Sequence, residues 1–174
     1  QSGRQIAQIN PLGQITSNVF DSAGQTIAQL NPLGFVSTMV YDLASRKIAQ
    51  VNPLGEINTT IYDAASQAIA QVNPLDQRTT TQYDRARRAF AVTDPVGLVS
   101  STTFDHAGRS IARMNPAGEV NTTVYDPAGR TIAQINPLGE TSQSFYDDAN
   151  RQIAAANPLG QISTTVYDAA GRTI

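Results

Sequence analysis

A strict 21-residue period runs through the sequence, and it constrains the fold more than any other feature. An aromatic residue marks the same point of eight successive copies, with no insertion or deletion between them. These residues, here called the aromatic ladder, are Phe20, Tyr41, Tyr62, Tyr83, Phe104, Tyr125, Tyr146 and Tyr167. A fixed internal period predicts a repeat architecture, in which each copy buries its surface against its neighbours.

Aspartate and proline keep the same register as the aromatic ladder. The aspartates directly follow the aromatic residues and are Asp21, Asp42, Asp63, Asp84, Asp105, Asp126, Asp147 and Asp168. The prolines lie about halfway between successive aspartates and are Pro11, Pro32, Pro53, Pro74, Pro95, Pro116, Pro137 and Pro158. Because Asp and Pro favour defined turn positions, both series are predicted to be structural turn residues.

Each copy contains two four-residue turn signals. The first is Asp-x-Ala-Gly, as in 126–129, and the second is Asn-Pro-Leu-Gly, as in 136–139. Both suit a type I turn closed by a left-handed fourth residue, the three-residue hairpin loop with a Gly bulge. Glycine accepts a positive φ there because it has no Cβ. Asn150 tolerates the same conformation, whereas we expect some strain at Ser45, Ser66, Asp76 and Arg87.

The segments between these turns are predicted to be β-strands. They are too short for ordinary helices, and their regular spacing is typical of an all-β protein. The segment 119–125 alternates and is rich in β-branched residues. We expect Val120, Thr122 and Val124 on one face of the sheet, and Asn121, Thr123 and Tyr125 on the other.

The odd length of the repeat conflicts with the two-residue period of a β-strand. Three-residue hairpin loops would let the alternation run unbroken along the chain. Equivalent residues of successive copies would then face opposite sides of the sheet. Ile132 and Ile135 are three residues apart and cannot share a face of a regular strand. We therefore predict a β-bulge, or a turn of different pairing, at or next to the Ile-Ala-Gln-Ile step.

These elements predict an all-β antiparallel meander with two strands per copy and about sixteen strands in all. Open twisted sheets rarely exceed about 10 strands without curling, so we expect a coil in the form of a spiral shell or tube wall. The alternative is a parallel β-solenoid with one 21-residue coil per copy. The meander is preferred because two hairpin turns reverse the chain twice in each copy.

Composition narrows the possible partners and the domain organisation. The chain has 174 residues, a net charge of −2 and no cysteine, so the charge gives no reason to expect nucleic acid as a partner. No apolar run approaches the roughly 18 residues of a membrane span. Residues 1–174 are expected to form a single continuous array of eight copies in phase. Gly3 and Gly171 occupy the same point of the repeat, so we expect a segment of a longer chain or a subunit of an open-ended assembly.

The aspartate series is the most tempting metal site, but the predicted geometry argues against it. In a meander the aspartates recur about 9.6 Å apart, while Ca–O distances are about 2.3–2.6 Å, so two of them cannot share an ion. We expect each Asp to cap its turn and pair with the Arg four residues later. These pairs are Asp105/Arg109, Asp126/Arg130, Asp147/Arg151 and Asp168/Arg172. No catalytic, metal-binding or cofactor-binding residue is predicted, and no cofactor is expected.

Three other features have both a structural and a functional interpretation. The aromatic ladder is expected to pack against Thr and Ala of neighbouring strands, although it could offer a sugar-stacking surface. The arginines Arg78, Arg85, Arg87 and Arg88 suggest either a solvated, drifted copy or a contact with a glycan or polyanion. His106, the single histidine, is expected to be a solvated turn residue, since no triad or His-ligated metal site can be built from it.

The stretches "YDPAGRTI" and "YDAAGRTI", each related to an "NPLG" turn, resemble the RHS or YD (tyrosine-aspartate) repeat over the whole chain. The chain departs from the usual family pattern in two places. Threonine mostly replaces the first aromatic of Tyr-x-Tyr-Asp, and isoleucine follows the arginine two places later instead of leucine one place later. The resemblance implies a long β-strand spiral that wraps into a hollow shell. Such shells enclose toxic domains in secreted bacterial toxins and also occur in animal cell-adhesion proteins.

We therefore expect a non-catalytic structural protein, the wall element of an extracellular or cell-surface tube, filament or shell. The expected partner is the chain itself, through further repeats or identical subunits that meet at open strand edges. One alternative is a fragment of a toxin-encapsulating shell with enclosed cargo. Another is an adhesion module that binds surface glycans. Neither nucleic acid nor a membrane span is expected.

Overall fold

A computed structural model describes residues 5–174, and these residues fold entirely into β-structure. The strands are β1 (Ala7–Ile9), β2 (Ile15–Phe20), β3 (Thr26–Leu30), β4 (Val36–Tyr41), β5 (Lys47–Val51), β6 (Ile57–Tyr62), β7 (Ala68–Val72), β8 (Arg78–Tyr83), β9 (Ala89–Thr93), β10 (Val99–Phe104), β11 (Ser110–Met114), β12 (Val120–Tyr125), β13 (Thr131–Ile135), β14 (Thr141–Tyr146), β15 (Gln152–Ala156) and β16 (Ile162–Thr164). Gly3, which was compared with Gly171, lies outside the described residues. The described part of the chain contains no helix of the length and apolarity that a membrane crossing requires.

The chain divides into two compact units, one that ends at Arg87 and one from Arg88 to Ile174. In the first unit β1 to β8 lie side by side in chain order, and in the second unit β9 to β16 do the same. Within each unit every strand pairs antiparallel with the next. The predicted antiparallel meander is confirmed, and the alternative of a parallel solenoid is wrong. That the two units form one continuous array stays a prediction.

A β-bulge resets the phase once per copy, as predicted. In the pairing of β12 with β13, Val124 lies opposite Ala133 but Tyr125 lies opposite Thr131, so Ile132 is the extra residue. The same shift recurs in five other strand pairs, where the extra residues are Ile27, Ile48, Ile69, Ile111 and Ile153. Because the extra residue has no cross-strand partner, it drops out of the two-residue alternation, and an even number of residues remains in each 21-residue copy. Equivalent residues of successive copies therefore return to the same face.

The register gives the sheet two chemically different faces. Residues that lie opposite each other on paired strands are on the same face of the sheet. The faces predicted for β12 can therefore be assigned to β13 and β14 through their pairing. The apolar face consists, in one copy, of Val120, Thr122, Val124, Ala133 and Ile135. The polar face consists of Asn121, Thr123, Tyr125, Thr131 and Gln134.

Each unit is a single layer of strands without a second layer packed on it. Within each unit the described strands contact only their neighbours in sequence. Among residues 5–174 only two apolar residues are buried, Ala70 and Ala91. Large residues of the apolar face therefore remain half exposed, for example Val40 at 46% and Ile57 at 49%. Main-chain pairing and cross-strand contacts, rather than a core, hold these units together.

Both kinds of turn adopt the predicted hairpin geometry. In the first turn the Asp126 amide donates to the Arg130 carbonyl and the Gly129 amide to the Asp126 carbonyl, each at 3.0 Å. The second turn, 136–140, repeats both bonds. The five non-glycine residues predicted at the fourth position have φ between 59° and 64°. They are Ser45, Ser66, Asp76, Arg87 and Asn150.

We predict that Asp76→Gly stabilises the chain and that Gly55→Asp destabilises it, each by about 1 kcal/mol. Asp76 and Gly55 occupy the same turn position in adjacent copies, with φ of 59° and 82°. A Cβ at Gly55 would meet nothing within 4 Å, so backbone conformation alone should set the sign. Urea midpoints measure both effects. Shifts in the same direction for the two variants would contradict the prediction.

Candidate functional site

The first turn of each copy is closed by an aspartate that accepts several hydrogen bonds. In the copy around Tyr125, Oδ1 of Asp126 accepts from the Arg130 amide at 2.9 Å. Its Oδ2 accepts from Nε of Arg130 at 2.6 Å. One carboxylate therefore caps the turn and also fixes the direction of the arginine side chain, as Asp at the first turn position is suited to do.

The arginine held in this way reaches the next copy. An η-nitrogen of Arg130 donates to the carbonyl of Asp147 at 3.1 Å and to Oδ1 of Asn150 at 2.9 Å. Its Cζ lies 4.9 Å from the centre of the Tyr146 ring. The guanidinium thus combines an ion pair within its own copy with a cation–π contact and a main-chain hydrogen bond to the next.

The tyrosine hydroxyl provides a second contact between the same two copies. The hydroxyl of Tyr146 donates to the carbonyl of Thr131 at 2.9 Å, and that of Tyr125 donates to the carbonyl of Ser110 at 3.2 Å. The preceding copy therefore contacts each ring twice. Its strand accepts the hydrogen bond from the hydroxyl at the ring edge, and its arginine lies over the ring face. We call this set of contacts the Asp–Arg–aromatic link.

The link recurs along both units. Arg46 lies over Tyr62, and in the second unit the arginine–ring pairs are Arg88 with Phe104, Arg109 with Tyr125, Arg130 with Tyr146, and Arg151 with Tyr167. The distances from Cζ to the ring centre run from 4.3 to 4.9 Å. Ion pairs join Asp42, Asp105, Asp126, Asp147 and Asp168 to the arginines four residues later.

These contacts lower the pKa of the aspartates. For Asp126 the main cause is the hydrogen bond from the Arg130 amide, which partial desolvation opposes and the guanidinium reinforces. The pKa values of Asp105, Asp147 and Asp168 are lowered with the amide of the paired arginine as the main cause. For Asp42 the main cause is the side-chain hydrogen bond from Arg46. The carboxylates are therefore held in their charged form.

The link is incomplete where glutamine replaces the arginine. The main-chain amides of Gln25 and Gln67 still donate to Oδ1 of Asp21 and Asp63, each at 2.8 Å, so the turns remain capped. The side-chain nitrogen of Gln67, however, is buried without a hydrogen-bond partner. The glutamine side chain is too short to reach the next copy, and it carries no charge for an ion pair or a cation–π contact.

The second turn is capped in the same way, by asparagine in most copies and by Asp94 in one. Oδ1 of Asn136 accepts from the amides of Leu138 and Glu140 at 3.0 Å, and its Nδ2 donates to the Glu140 carboxylate at 2.6 Å. Pro137 occupies the position after the cap and is exposed. The prolines at the equivalent positions of the other copies are exposed as well.

Of the other residues singled out in the sequence, only Arg88 takes part in the link. His106 is exposed in its turn, and Arg78, Arg85 and Arg87 are exposed around β8, whereas Arg88 lies over Phe104. No group of acidic or histidine residues in the described part of the chain could hold a metal ion.

Sequence reasoning missed the contact between each arginine and the following ring. It expected the aromatic ladder to pack on Thr and Ala of neighbouring strands, and the register does place Tyr125 opposite Thr131 and Tyr62 opposite Ala68. The signal for the missed contact was present in the sequence. Each of these arginines precedes its ring by the same interval, which spans one second turn and two strands.

Comparison with known proteins agrees with this geometry. The family model of the RHS repeat matches residues 125–162. These residues are RHS repeats. The match covers a copy in which the link is complete. The other copies share its period and its turn signals, and the bulge recurs in the five other strand pairs named above. The resemblance predicted from the sequence is thereby confirmed. No curated protein matches the chain.

Solved structures with the same fold come from Tc toxins. A Tc holotoxin pore of Photorhabdus luminescens with a mutation in TccC3 matches 92% of this chain at 18% identity, with a TM-score of 0.65. A crystal structure of TcdB2–TccC3 matches 97% of it at 15% identity, with a TM-score of 0.63. This chain spans only 10% and 11% of those chains. At these identities the similarity concerns the fold alone.

We predict that Gln25→Arg stabilises the first unit by about 0.5–1 kcal/mol, the range for an Arg over an exposed ring. Tyr41, the carbonyl of Asp42 and Ser45 lie where Arg46 finds Tyr62, the carbonyl of Asp63 and Oγ of Ser66. The urea midpoint of unfolding measures the gain.

Two variants control for this gain. Gln25→Lys adds the charge without the planar guanidinium and should give less, while Arg46→Gln should lose what Gln25→Arg gains. Gln67→Arg is a poorer test, because Arg87 occupies the place of the serine and would repel the new charge. An equal gain from Lys and Arg would show that charge alone, not the link, is responsible.

We predict that stability is constant above about pH 5 and falls as the pH drops through about 4. The folded-state pKa of the five paired aspartates is lowered, so the unfolded chain binds more protons and gains relative stability in acid. Urea midpoints between pH 7 and pH 3 test this. The triple variant Asp105→Asn, Asp126→Asn and Asp147→Asn retains an Asn cap and should show a shallower fall. An unchanged slope would contradict the assignment.

Proposed function

We propose that this chain is a structural protein, a wall segment of a shell or tube built from RHS repeats. The observation that carries the proposal is the Asp–Arg–aromatic link, which joins a copy to the next at five boundaries along the two units. Its aspartate fixes the arginine within one copy, while the guanidinium and the tyrosine hydroxyl bond across the boundary to the next copy, so the link serves to continue the sheet. A surface built this way extends by adding copies, and no single copy can reproduce it.

The single-layer construction supports a wall rather than a globular module. A globular sheet protein packs its apolar face against a helix or a second sheet, whereas here the apolar face is half exposed within each unit. A wide twisted sheet curls as strands are added. We propose that the array is continuous from one unit to the next, that it curls into a spiral or tube, and that it lies outside the cell or on its surface.

Two forms of such a wall differ in what they enclose. The uninterrupted 21-residue register favours a tube or filament, because a cargo shell would be expected to show insertions and a plug. The similarity in fold to the Tc toxin structures favours the second form, a segment of a toxin-enclosing RHS shell. In that form the cargo would be the partner, and the segment itself would have no catalytic role.

A glycan-binding adhesion module has less support. Sugar stacking needs an open aromatic face. An arginine already lies over five rings of the aromatic ladder, with Cζ at most 4.9 Å from the ring centre. The exposed Arg85 and Arg87 remain available for a polyanion. Saturable binding of a sugar by the purified chain would favour this alternative over a wall.

Electron microscopy of the purified chain, with X-ray diffraction from aligned material, tests the proposed function. We expect curved sheets or hollow tubes with a wall one sheet thick. Diffraction should show the strand spacing of about 4.8 Å and, along the same direction, the two-strand repeat of about 9.6 Å, without the roughly 10 Å reflection that stacked sheets give perpendicular to that direction. Closed capsules would favour the cargo shell. Discrete monomers at all concentrations, or a strong reflection at the spacing of stacked sheets, would contradict a single-layer wall.

A further inference from the structure

The two turns of each copy share one backbone geometry but differ in their third residue. In the first turn the amides of Asp126 and Gly129 donate to the carbonyls of Arg130 and Asp126, and the second turn makes the same two bonds. Yet the third residue is alanine in all eight first turns and leucine in six of the eight second turns. Because the backbone is the same, the turn itself does not select between these residues.

The leucines of the second turns make little contact within their own sheet. They are 76–83% exposed and are Leu12, Leu33, Leu54 and Leu75 in the first unit and Leu138 and Leu159 in the second. We call them the leucine edge of each unit. A large apolar residue exposed to this degree gains almost nothing from burial in its own molecule. A row of such residues along one end of the strands leaves apolar surface available for contact with another molecule.

The alanines of the first turns lie at the opposite ends of the same strands, since successive strands run antiparallel. They are exposed, and we call them the alanine edge: Ala23, Ala44, Ala65 and Ala86 in the first unit, and Ala107, Ala128, Ala149 and Ala170 in the second. Both edges repeat every two strands, about 9.6 Å at about 4.8 Å per strand. The leucines of one edge therefore have the same spacing as the gaps between the first turns on the other edge, where Leu43 is a further exposed leucine.

The two edges differ in their exposed charges, most of all at the copy with Arg85 and Arg87. The second turns and the residue after each contain five acidic residues and no basic one: Glu56, Asp76, Asp94, Glu119 and Glu140. The alanine edge carries the exposed Arg85 and Arg87 besides one exposed acid, Asp148. Five of the aspartates that cap its turns are paired with their own arginines, whereas Asp21 and Asp63 are followed by glutamine. Contact between unlike edges thus brings acidic residues near arginines, whereas contact between two leucine edges would bring acidic residues together.

We propose that the leucine edge of one molecule packs on the alanine edge of a second copy of this chain, so that sheets stack end to end along the strand direction. Each leucine would insert between two alanine turns. Since the two contacting surfaces differ, the interface is heterologous and leaves a free edge at each end, which generates open assemblies. This inference rests on the proposed wall function, because it names the surface through which successive layers of the wall would meet.

Two complementary variants test the interface by sedimentation velocity. The leucine-edge variant replaces all six leucines, Leu12, Leu33, Leu54, Leu75, Leu138 and Leu159, by alanine. The alanine-edge variant carries Ala23→Glu, Ala65→Glu, Ala107→Glu and Ala149→Glu, which add bulk and acidic charge opposite an acidic edge. All of these residues are exposed in turns, so circular dichroism should show the wild-type β-structure in both variants.

The wild-type chain should form species larger than a dimer as its concentration rises, and each variant alone should remain monomeric. An equimolar mixture of the two variants should form a 1:1 complex and nothing larger, because each retains one intact edge. A control variant with Val19→Thr and Val40→Thr on the apolar face should associate like the wild type. The mixture also guards against a variant that loses association by misfolding, since a misfolded partner would not form the complex.

Three results would overturn the proposal: a monomeric wild type, association of the leucine-edge variant at wild-type concentrations, or loss of association in the Val→Thr control. Failure here is distinguishable from failure of the proposed function. If the leucine-edge variant still forms single-layer tubes in electron micrographs, the wall stands and the edge contact is wrong. If the wild type forms only stacked sheets while association still depends on the leucines, the edge contact stands and the single-layer wall is wrong.

Discussion

The structure depends on a bulge that reconciles an odd repeat with a two-residue period. In a regular strand one added residue exchanges the faces, so a 21-residue copy would place its valines on alternate sides in alternate copies. The extra residue at Ile132 and its equivalents removes this conflict. The two distinct faces require it, because without the bulge the apolar residues and the ladder rings would change sides from one copy to the next. A copy of even length would need no bulge, but it would also lack the local bend that a bulge introduces.

A sheet without a core must obtain its stability laterally. Only Ala70 and Ala91 are buried among the described residues, so the burial that dominates globular proteins contributes little here. Main-chain pairing is supplemented by cross-strand neighbours and by the Asp–Arg–aromatic link. Each of these terms joins a strand to a nearby one, and the stability of the array is therefore close to a sum of nearest-neighbour contributions between copies. Such a protein tolerates a weak copy, as around Gln67, provided that the copies on either side remain paired.

The features that the sequence predicted are those decided within a few residues. The turn residues, the strands between them and the left-handed φ of Ser45 or Asn150 follow from local preferences, and the bulge follows from counting. The contact of Arg130 with Tyr146 was not predicted, because it depends on how β14 lies against β13 and on the direction that Asp126 gives to the guanidinium. The exposure of the leucines was equally hidden. An Asn-Pro-Leu-Gly turn reads the same whether its leucine is buried by another layer or left in solvent.

The bulges also bear on why such an array would curl in one direction. A bulged strand bends and increases the local twist. In the described pairs the extra residue always lies on the strand that follows the first turn. It faces the last two residues of the preceding strand, the second of which belongs to the aromatic ladder. Bends at equivalent points, separated by a constant number of strands, add instead of cancelling. The apolar face then has the same relation to the bend in every copy. In a curled wall it would lie wholly on one side, either facing a lumen or facing outward, and the polar face with its arginine-covered rings would form the other surface.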